Sequence, residues 1–317
     1  MLRWAALGLT LALAACAQPP ILPRTPVAAG PGVTIKAELV PVDPTNLDKQ
    51  ALGRFSYAGG LLLTSQDTAR LHGLSDLKIT RDGALISESD EGDLLKAHIV
   101  LDAKGRLAGV ADARMTVLDG VDGKPLQTKE EADAEGVALL ANGDMLVSFE
   151  EHDRILVYPA KGGPPREAPS PAVKFPFNLG MEALAAYPKA GPDAYVVGGE
   201  ASGQTWICRL SAPCVEDRKV EKAADFFLVA VAPLDDGRIA YLLRAWDPIR
   251  GSRISLVLYD PKGAELARLN LAKPLTVDNF EGLTAVPGPD GAIRFYLISD
   301  DNFSPSQRTL LLAFDWK

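Results

Sequence analysis

The sequence predicts an all-β fold, a β-propeller of four-stranded antiparallel blades, and three observations support this. Short β-rich runs recur between Asp-Gly, Asn-Gly and Lys-Gly turns, and stretches with a helical period are nearly absent. The runs form groups that start about 45–60 residues apart, which is close to the spacing of propeller blades. Acidic residues recur where successive groups start, which a two-sheet β-sandwich, the alternative architecture, does not predict.

Residues 1–16 are typical of an export signal, with a positive start, an apolar run and the small-residue cleavage region Leu13-Ala14-Ala15-Cys16. At roughly a dozen residues, the run is too short for a permanent helix across a bilayer of about 30 Å. The Leu-Ala-Ala-Cys order resembles a lipobox, so we expect a lipid on Cys16. An ordinary secreted protein with a spare cysteine is the alternative.

A lipid anchor would hold the protein at a membrane facing the periplasm. The two residues after Cys16 are Ala17 and Gln18, and neither is the aspartate that resembles an inner-membrane retention signal. We therefore expect attachment to the outer membrane. Residues 17–32 are rich in Pro and Ala and have little to bury, so they are interpreted as a tether, and residues 33–317 as one propeller domain.

Composition excludes one class of partner. The chain has a net charge of -8 and no Lys/Arg-rich block, so it lacks the basic surface that nucleic acid needs. We expect a monomer that acts on a small molecule. Cys208 and Cys214 lie six positions apart, and in an exported chain they can form a disulfide that closes a hairpin. Two free thiols are the alternative.

Five groups of strands can be counted, and each of the first four predicts a complete blade. The groups start at Gly73, Glu135, Met181, Phe226 and Glu281. The predicted strands of the first four are residues 74–80, 84–88, 94–101 and 107–118; 137–140, 145–149, 154–158 and a weaker run ending near 175; 183–187, 194–197, 205–210 and 215–220; and 226–232, 238–243, 253–259 and 265–271.

The last group holds only three strands, at residues 283–286, 293–298 and 308–314. Three strands leave an unpaired edge, and such an edge favours aggregation. We therefore expect an N-terminal strand at residues 59–65 to complete the fifth blade and close the ring. A sixth blade, if present, would lie within residues 33–63, which contain a further β-rich run.

The C-terminal group also carries a family resemblance. Asn279-Phe280-Glu281-Gly282-Leu283, with residues 298–305 and 307–314, resembles the C-terminal signature of the bacterial phytase-like family, described as "esterase-like activity of phytase". Gly73-Leu74-Ser75, Glu135-Gly136-Val137 and residues 180–184 are similar to the family's earlier repeats. The resemblance extends from about Val40 to the end of the chain and implies a hydrolase of esters or phosphoesters.

Alternating strand direction predicts where the acidic loops lie. In a four-stranded meander, the loop leading into the first strand and the loop between the second and third strands lie at the same end. We therefore expect their carboxylates around one mouth of the central channel. The first kind of loop carries Glu135, Glu182 and Glu281, with Asp76 and Asp225 nearby, and the second carries Glu88, Asp90, Glu150, Glu151, Glu200, Asp300 and Asp301.

Clustered carboxylates raise one another's pKa unless a cation compensates them. An oxygen-rich site suits Ca²⁺, which takes six to eight oxygen ligands, better than Zn²⁺, which prefers His or Cys. We predict a calcium site with Glu135, Glu182 and Glu281 as the leading ligands and Asp300 or Glu150 behind them. The alternative is that each Glu-Gly pair only orders its own loop through backbone hydrogen bonds.

Hydrolysis would need a proton acceptor and, for a phosphoester, cations that hold phosphate oxygens. We consider Glu151, His152 and Asp301 as proton acceptors, and expect His72 and His98 to be structural. The candidate phosphate-binding residues are Arg154, Arg244 and Arg308, each of which could instead pair with a neighbouring acid. A serine-esterase route is disfavoured because the chain lacks a Gly-x-Ser-x-Gly elbow.

Two classes of function follow from this pattern. The first is a periplasmic, calcium-assisted hydrolase of phosphoesters or simple esters. The second is a non-catalytic propeller that binds a ligand or partner at the cell envelope. A sugar lactonase that resembles the calcium-dependent lactonase propellers is a weaker third alternative. The fold does not decide among them, because propellers serve several kinds of function.

Overall fold

The computed structural model describes residues 32–317, so the predicted signal peptide, Cys16 and nearly all of the tether lie outside the described residues. Within residues 32–317 the chain forms 22 β-strands and one short α-helix. None of the described helices is long and apolar enough to cross a membrane.

The described chain begins with β1 (Lys36–Leu39), β2 (Ala51–Leu52) and β3 (Phe55–Thr64). Four antiparallel four-stranded blades then follow in chain order. Blade 1 holds β4 (Leu74–Ile79), β5 (Ala84–Ser89), β6 (Asp93–Leu101) and β7 (Leu107–Val117). Blade 2 holds β8 (Ala134–Leu139), β9 (Met145–Phe149), β10 (Arg154–Tyr158) and β11 (Arg166–Ala168).

Blade 3 holds β12 (Ala183–Ala186), β13 (Ala194–Gly198), β14 (Gln204–Arg209) and β15 (Ala212–Lys219). Blade 4 holds β16 (Phe227–Pro233), β17 (Ile239–Asp247), β18 (Gly251–Tyr259) and β19 (Glu265–Leu271). Blade 5 contains β20 (Asn279–Pro287), β21 (Ile293–Asp300) and β22 (Leu310–Trp316), with β3 paired to β22. The five predicted blades are therefore confirmed.

The first strands of the blades form a closed ring. Strands β4, β8, β12, β16 and β20 lie side by side in that order, and β20 lies against β4. In residues 32–317 the buried apolar side chains form five clusters, one between each pair of neighbouring blades. Burial of apolar area between successive sheets therefore stabilises the whole ring.

Strand β3 closes the ring, close to where the sequence predicts it. It pairs antiparallel with β22, with Leu62 opposite Leu310 and Phe55 opposite Trp316. Gly60 is needed here, because a Cβ atom would lie 2.5 Å from Leu312 Cδ2 and 2.2 Å from the Tyr57 hydroxyl. Strands β1 and β2 pair with β3. The alternative of a sixth blade is therefore wrong, since the N-terminal strands extend the fifth sheet.

Two connections differ from simple turns. The insertion before blade 2 ends in helix α1 (Lys129–Ala132), whose N-cap Thr128 accepts a hydrogen bond from the Glu131 N–H, as such caps do. The structure joins Cys208 and Cys214 by a disulfide across the β14–β15 hairpin. The fourth strand of blade 2 lies at β11, earlier than the weak run ending near residue 175.

Candidate functional site

A cavity of about 490 Å³ opens at one mouth of the channel, and acidic side chains dominate its lining. The acids come from the ends of the first and second strands and the loops beside them, as strand alternation predicts. The cavity is lined by eight carboxylates, Asp90, Asp133, Glu135, Glu150, Glu182, Glu200, Glu281 and Asp300, and by two bases, Lys129 and Arg244. Its formal charge is therefore strongly negative.

β-Bulges place two of these glutamates. In β8 the register shifts between Ala134 and Gly136, which leaves Glu135 as the extra residue. In β20 it shifts between Phe280 and Gly282, which leaves Glu281 in the same position. A bulge re-aims the extra side chain. Glu135 and Glu281 thus reach the cavity although both belong to hydrogen-bonded strands rather than to loops.

The residue after each of these glutamates must be glycine because a neighbouring blade approaches its backbone closely. A Cβ on Gly136 would lie 2.5 Å from the backbone oxygen of Glu182 in blade 3, and one on Gly282 would lie 2.8 Å from Cα of Asp76 in blade 1. The Glu-Gly pair therefore combines a carboxylate aimed at the channel with the close approach of the neighbouring blade.

Arg244 is the central cation of the cavity. Its guanidinium lies 2.6 Å from Glu281, 3.0 Å from Glu200 and 3.7 Å from Glu182. It also donates a hydrogen bond of 2.7 Å to the side-chain oxygen of Asn279. Burial opposes its charge, but the three carboxylates more than offset this and raise its pKa. Arg244 is thus held by protein carboxylates rather than left free for phosphate.

Lys129 provides a second fixed cation, delivered by helix α1. Its ammonium group donates to the Asp90 carboxylate at 2.9 Å, to the Asp90 backbone oxygen at 2.8 Å and to Asp133. Burial raises the pKa of Asp90 to about 6, although Lys129 acts in the opposite direction. Lys129 therefore neutralises one side of the cavity, and Arg244 neutralises another.

Between these cations lies a group of three carboxylates that Arg244 compensates only in part, through Glu182 and Glu200. One ligand oxygen each from Glu150, Glu182 and Glu200 lies within 4.8 Å of the other two, and all three residues are buried. The Oε2 atoms of Glu182 and Glu200 are inaccessible and have no hydrogen-bond partner in the described structure. Buried polar atoms without partners are costly, so this arrangement favours a bound cation or a bound proton.

A second group shares Glu150 with the first. Oxygens of Asp133, Glu135 and Glu150 also lie within 4.8 Å of one another. Burial, followed by the neighbouring carboxylates, raises the pKa of Glu135 well above its usual value. Burial likewise raises the pKa of Glu150 to about 7, although Glu150 accepts a 2.5 Å hydrogen bond from the Gly180 N–H. Glu150 can therefore be partly protonated at neutral pH.

Three residues predicted for catalysis or substrate binding do not line the cavity. Glu151 is exposed to solvent, and His152 is exposed and paired at 2.9 Å with Glu130. Arg154 lies 4.3 Å over the ring of Phe149 and donates to the backbone oxygens of His152 and Glu131. The β9–β10 loop turns these side chains outward, and only Glu150 points into the cavity.

Asp301 and Arg308 are also committed elsewhere. Asp301 binds His72 Nδ1 at 2.6 Å and accepts hydrogen bonds from Thr309 Oγ1 at 2.8 Å and the Gly73 N–H at 3.1 Å. Burial would raise the pKa of Asp301, but His72 and these donors lower it overall. Arg308 pairs with Asp278 at 3.0 Å. Asp300, the last residue of β21, therefore lines the cavity, whereas its neighbour Asp301 does not.

The other acids expected near the mouth have structural partners or lie apart. Asp76 accepts N–H groups of Leu283 at 3.1 Å and Val137 at 3.2 Å, so it ties blade 1 to blades 5 and 2. Glu88 is fully buried opposite Asp76 and does not line the cavity. Asp225 is exposed and pairs with arginines on the surface.

Two contributors were missed or underrated from the sequence. The sequence pattern does not indicate Asp133, which lies two residues before Glu135 at the end of helix α1 and lines the same cavity. The sequence pattern predicts Glu200 only as an acid of a loop at the channel mouth, yet it belongs to the buried group with Glu150 and Glu182. The one available signal was proximity to a predicted strand end.

The profile of the family described as "Phytase-like: Esterase-like activity of phytase" matches residues 69–303. The chain belongs to this phytase-like family. The match covers all the acids that line the cavity. No curated protein matches the chain in sequence.

Several solved propellers are similar to this member of the phytase-like family. A putative gluconolactonase is 13% identical, with 82% of this chain and 81% of that chain covered and a TM-score of 0.49. Virginiamycin B lyase from Staphylococcus aureus is 11% identical, with 90% and 100% covered and a TM-score of 0.45. A streptogramin B lyase is 12% identical, with 78% and 94% covered and a TM-score of 0.42.

Proposed function

We propose that the protein is a calcium-assisted hydrolase that cleaves an ester or phosphoester in the acidic cavity. The observation that carries this proposal is the buried group of Glu150, Glu182 and Glu200, with two carboxylate oxygens that lack any partner in the described chain. The family description, esterase-like activity of phytase, supports the reaction class.

The donor set fits a calcium ion. Every acidic donor in the cavity offers oxygen, and neither His nor Cys is among its lining residues. Ca²⁺ accepts six to eight oxygen ligands, whereas Zn²⁺ favours nitrogen and sulfur. Glu150, Glu182 and Glu200 would hold the ion, with Glu135 and Asp133 beside it. A bound calcium would polarise the carbonyl or phosphoryl oxygen of the substrate.

The chain's own residues supply the proton chemistry. Glu135 lies partly exposed in the cavity, and burial together with the neighbouring carboxylates raises its pKa well above the usual value, which favours its protonated form. A protonated carboxyl in this position can donate its proton to the leaving oxygen as a general acid. Arg244 and Asn279 hold Glu281 in place. Glu135 therefore replaces Glu151, His152 and Asp301 as the residue to test.

Calorimetric titration of calcium into chelator-treated protein tests the cation directly. We expect binding to wild type and at least a tenfold loss of affinity in Glu182→Gln. Glu151→Gln is the matched control, because it removes the same charge from an exposed position beside the cavity. Absence of calcium binding to wild type, or equal affinity in both variants, would contradict the proposed site.

Turnover of nitrophenyl acetate and nitrophenyl phosphate, with and without calcium, tests the reaction. We expect calcium-dependent hydrolysis of at least one substrate, and a strong loss of kcat in Glu135→Gln with calcium affinity largely kept. The second candidate function is a non-catalytic binding propeller. It is favoured by the outward direction of Glu151 and His152, and calcium binding without any turnover would support it.

The cellular setting remains part of the proposal. Lipidation at Cys16 and attachment to the outer membrane on its periplasmic side are predictions from the sequence. Mass spectrometry of the protein purified from membranes, compared with a Cys16→Ser variant, checks both. A soluble, unmodified wild-type protein would contradict them.

A further inference from the structure

Exposed aromatic side chains lie around the acidic cavity. Within residues 32–317 the exposed aromatic residues are Phe177, Trp246 and Phe303, at 81%, 65% and 42% exposure. Trp246 lines the cavity itself, and the other two are sequence neighbours of the lining residues Asn178 and Asn302. Phe177 and Phe303 come from two separate loops, and Trp246 comes from the end of β17. We call these three residues the aromatic rim.

The aromatic rim is unusual for this molecule. Every other Phe and Trp in the described chain is buried or half-buried. Leaving a large apolar side chain in water forgoes its favourable burial, and exposed apolar groups gathered around a cavity often mark a binding surface. Phe303 also has a backbone φ of 51°, which a bulky residue rarely adopts, and it packs 5.6 Å from the His72 ring. Its exposed position is thus fixed by its surroundings.

The charges of the cavity limit what can enter it. Its two bases, Lys129 and Arg244, are both bound to protein carboxylates. No base lining the cavity within the described chain is left to hold a phosphate group, and the remaining carboxylates would repel a polyanion. A highly phosphorylated substrate therefore fits poorly, whereas an uncharged ester group fits beside a cation.

We propose that the substrate is an amphiphilic carboxylic ester, with its ester group in the acidic cavity and its alkyl or aryl part on the aromatic rim. This inference rests on the proposed hydrolase function and names its substrate class. Trp246 makes the two surfaces continuous, since it belongs to both. The side chains of Phe177 and Phe303 would then extend the apolar surface that contacts the alkyl or aryl part of the substrate.

Hydrolysis of nitrophenyl acetate, butyrate and octanoate, with phytate as the polyanionic comparison, measures the contribution of the rim. Each buried methylene is worth several-fold in binding, so we expect kcat/KM to rise at least about tenfold from acetate to octanoate. In Phe177→Ser/Phe303→Ser this rise should shrink to less than about threefold. Leu39→Ser/Leu47→Ser, which alters two exposed leucines remote in sequence from the aromatic rim, should keep this rise.

A binding measurement separates failure of the rim from failure of the hydrolase. Trp206 and Trp316 are buried, so the difference in emission between wild type and Trp246→Phe reports on the rim. Octanamide should shift this difference signal and acetamide should not. A shift without turnover of any ester would support binding of apolar groups at the aromatic rim and contradict the proposed hydrolase function. Turnover independent of chain length, with no octanamide shift, would contradict the role of the aromatic rim in substrate binding but not the proposed hydrolase function.

A membrane surface is the competing occupant of the rim. If Phe177→Ser/Phe303→Ser loses affinity for phosphatidylcholine vesicles while the chain-length dependence and the octanamide shift are unchanged, the substrate proposal is overturned. Faster turnover of phytate than of octanoate would overturn it as well.

Discussion

Replacing Arg244 by methionine should strongly destabilise the fold at alkaline pH. Methionine keeps much of the side-chain length and removes the charge that compensates Glu281, Glu200 and Glu182. At an effective dielectric of about 20, the 2.6 Å pair with Glu281 alone represents about 6 kcal/mol of gross attraction. Desolvation of the arginine offsets much of this, and removing one partner of a buried pair typically costs about 3–5 kcal/mol net.

The stability lost in Arg244→Met should depend on pH. Near pH 5 the glutamates around position 244 can bind protons. The variant then still lacks the hydrogen bonds that Arg244 donates, but it has fewer unpaired carboxylate charges than at pH 8. We expect a loss of about 3–5 kcal/mol at pH 8 that shrinks to about 1–2 kcal/mol at pH 5. Urea unfolding of chelator-treated protein, followed by circular dichroism, measures both values.

Arg81→Met provides the control for the loss of an arginine. Arg81 pairs with Asp235, and both side chains are more than 70% exposed. Exposed pairs contribute about 0–1 kcal/mol, so this variant should unfold close to wild type at both pH values. A loss below 1 kcal/mol for Arg244→Met at pH 8, or a loss that does not change with pH, would refute the assignment of Arg244 as the compensating cation.

Two further outcomes are expected. First, wild-type protein without calcium should lose stability between pH 4.5 and pH 7: the pKa values of Glu150 and Glu281 are raised from 4.5 to about 7 by burial, so the folded state binds their protons more tightly than the unfolded chain. Each of the two glutamates should contribute on the order of 3 kcal/mol to the loss in free energy of unfolding. Urea midpoints that stay level or rise between pH 4.5 and pH 7 would contradict this expectation. Second, reducing the disulfide or changing Cys214 to Ser should cost about 2 kcal/mol, because the loop it closes is short, and a melting temperature that reductant leaves unaltered would contradict this.

The sequence predicts the fold well because its signals are local. Turn dipeptides mark the strand ends, and the repeat spacing then determines the blades. The strand that completes blade 5 is predictable for a different reason: β22 carries the fully buried Leu310, Leu311 and Leu312, and a strand this apolar needs a partner on its open side.

The site is predicted only at the level of which loops meet. Strand alternation brings Glu135, Glu182 and Glu281 to one mouth, but it does not specify where each side chain points. In the β9–β10 loop, Glu150 enters the cavity and the next residue, Glu151, faces solvent, with a backbone φ of 55°. Pairings across blades, such as Arg244 with Glu281, depend on side-chain rotamers and on the tertiary approach of two sheets. No local pattern encodes them.

The pairing of β3 with β22 has a consequence for how the protein acquires its structure. Roughly 250 residues separate these partners along the chain, so the last sheet cannot form before the end of the polypeptide is available. Until then β3 remains an apolar strand without its neighbour, and it is vulnerable to pairing with another molecule. A nascent chain would therefore need protection of this early segment for nearly its whole synthesis.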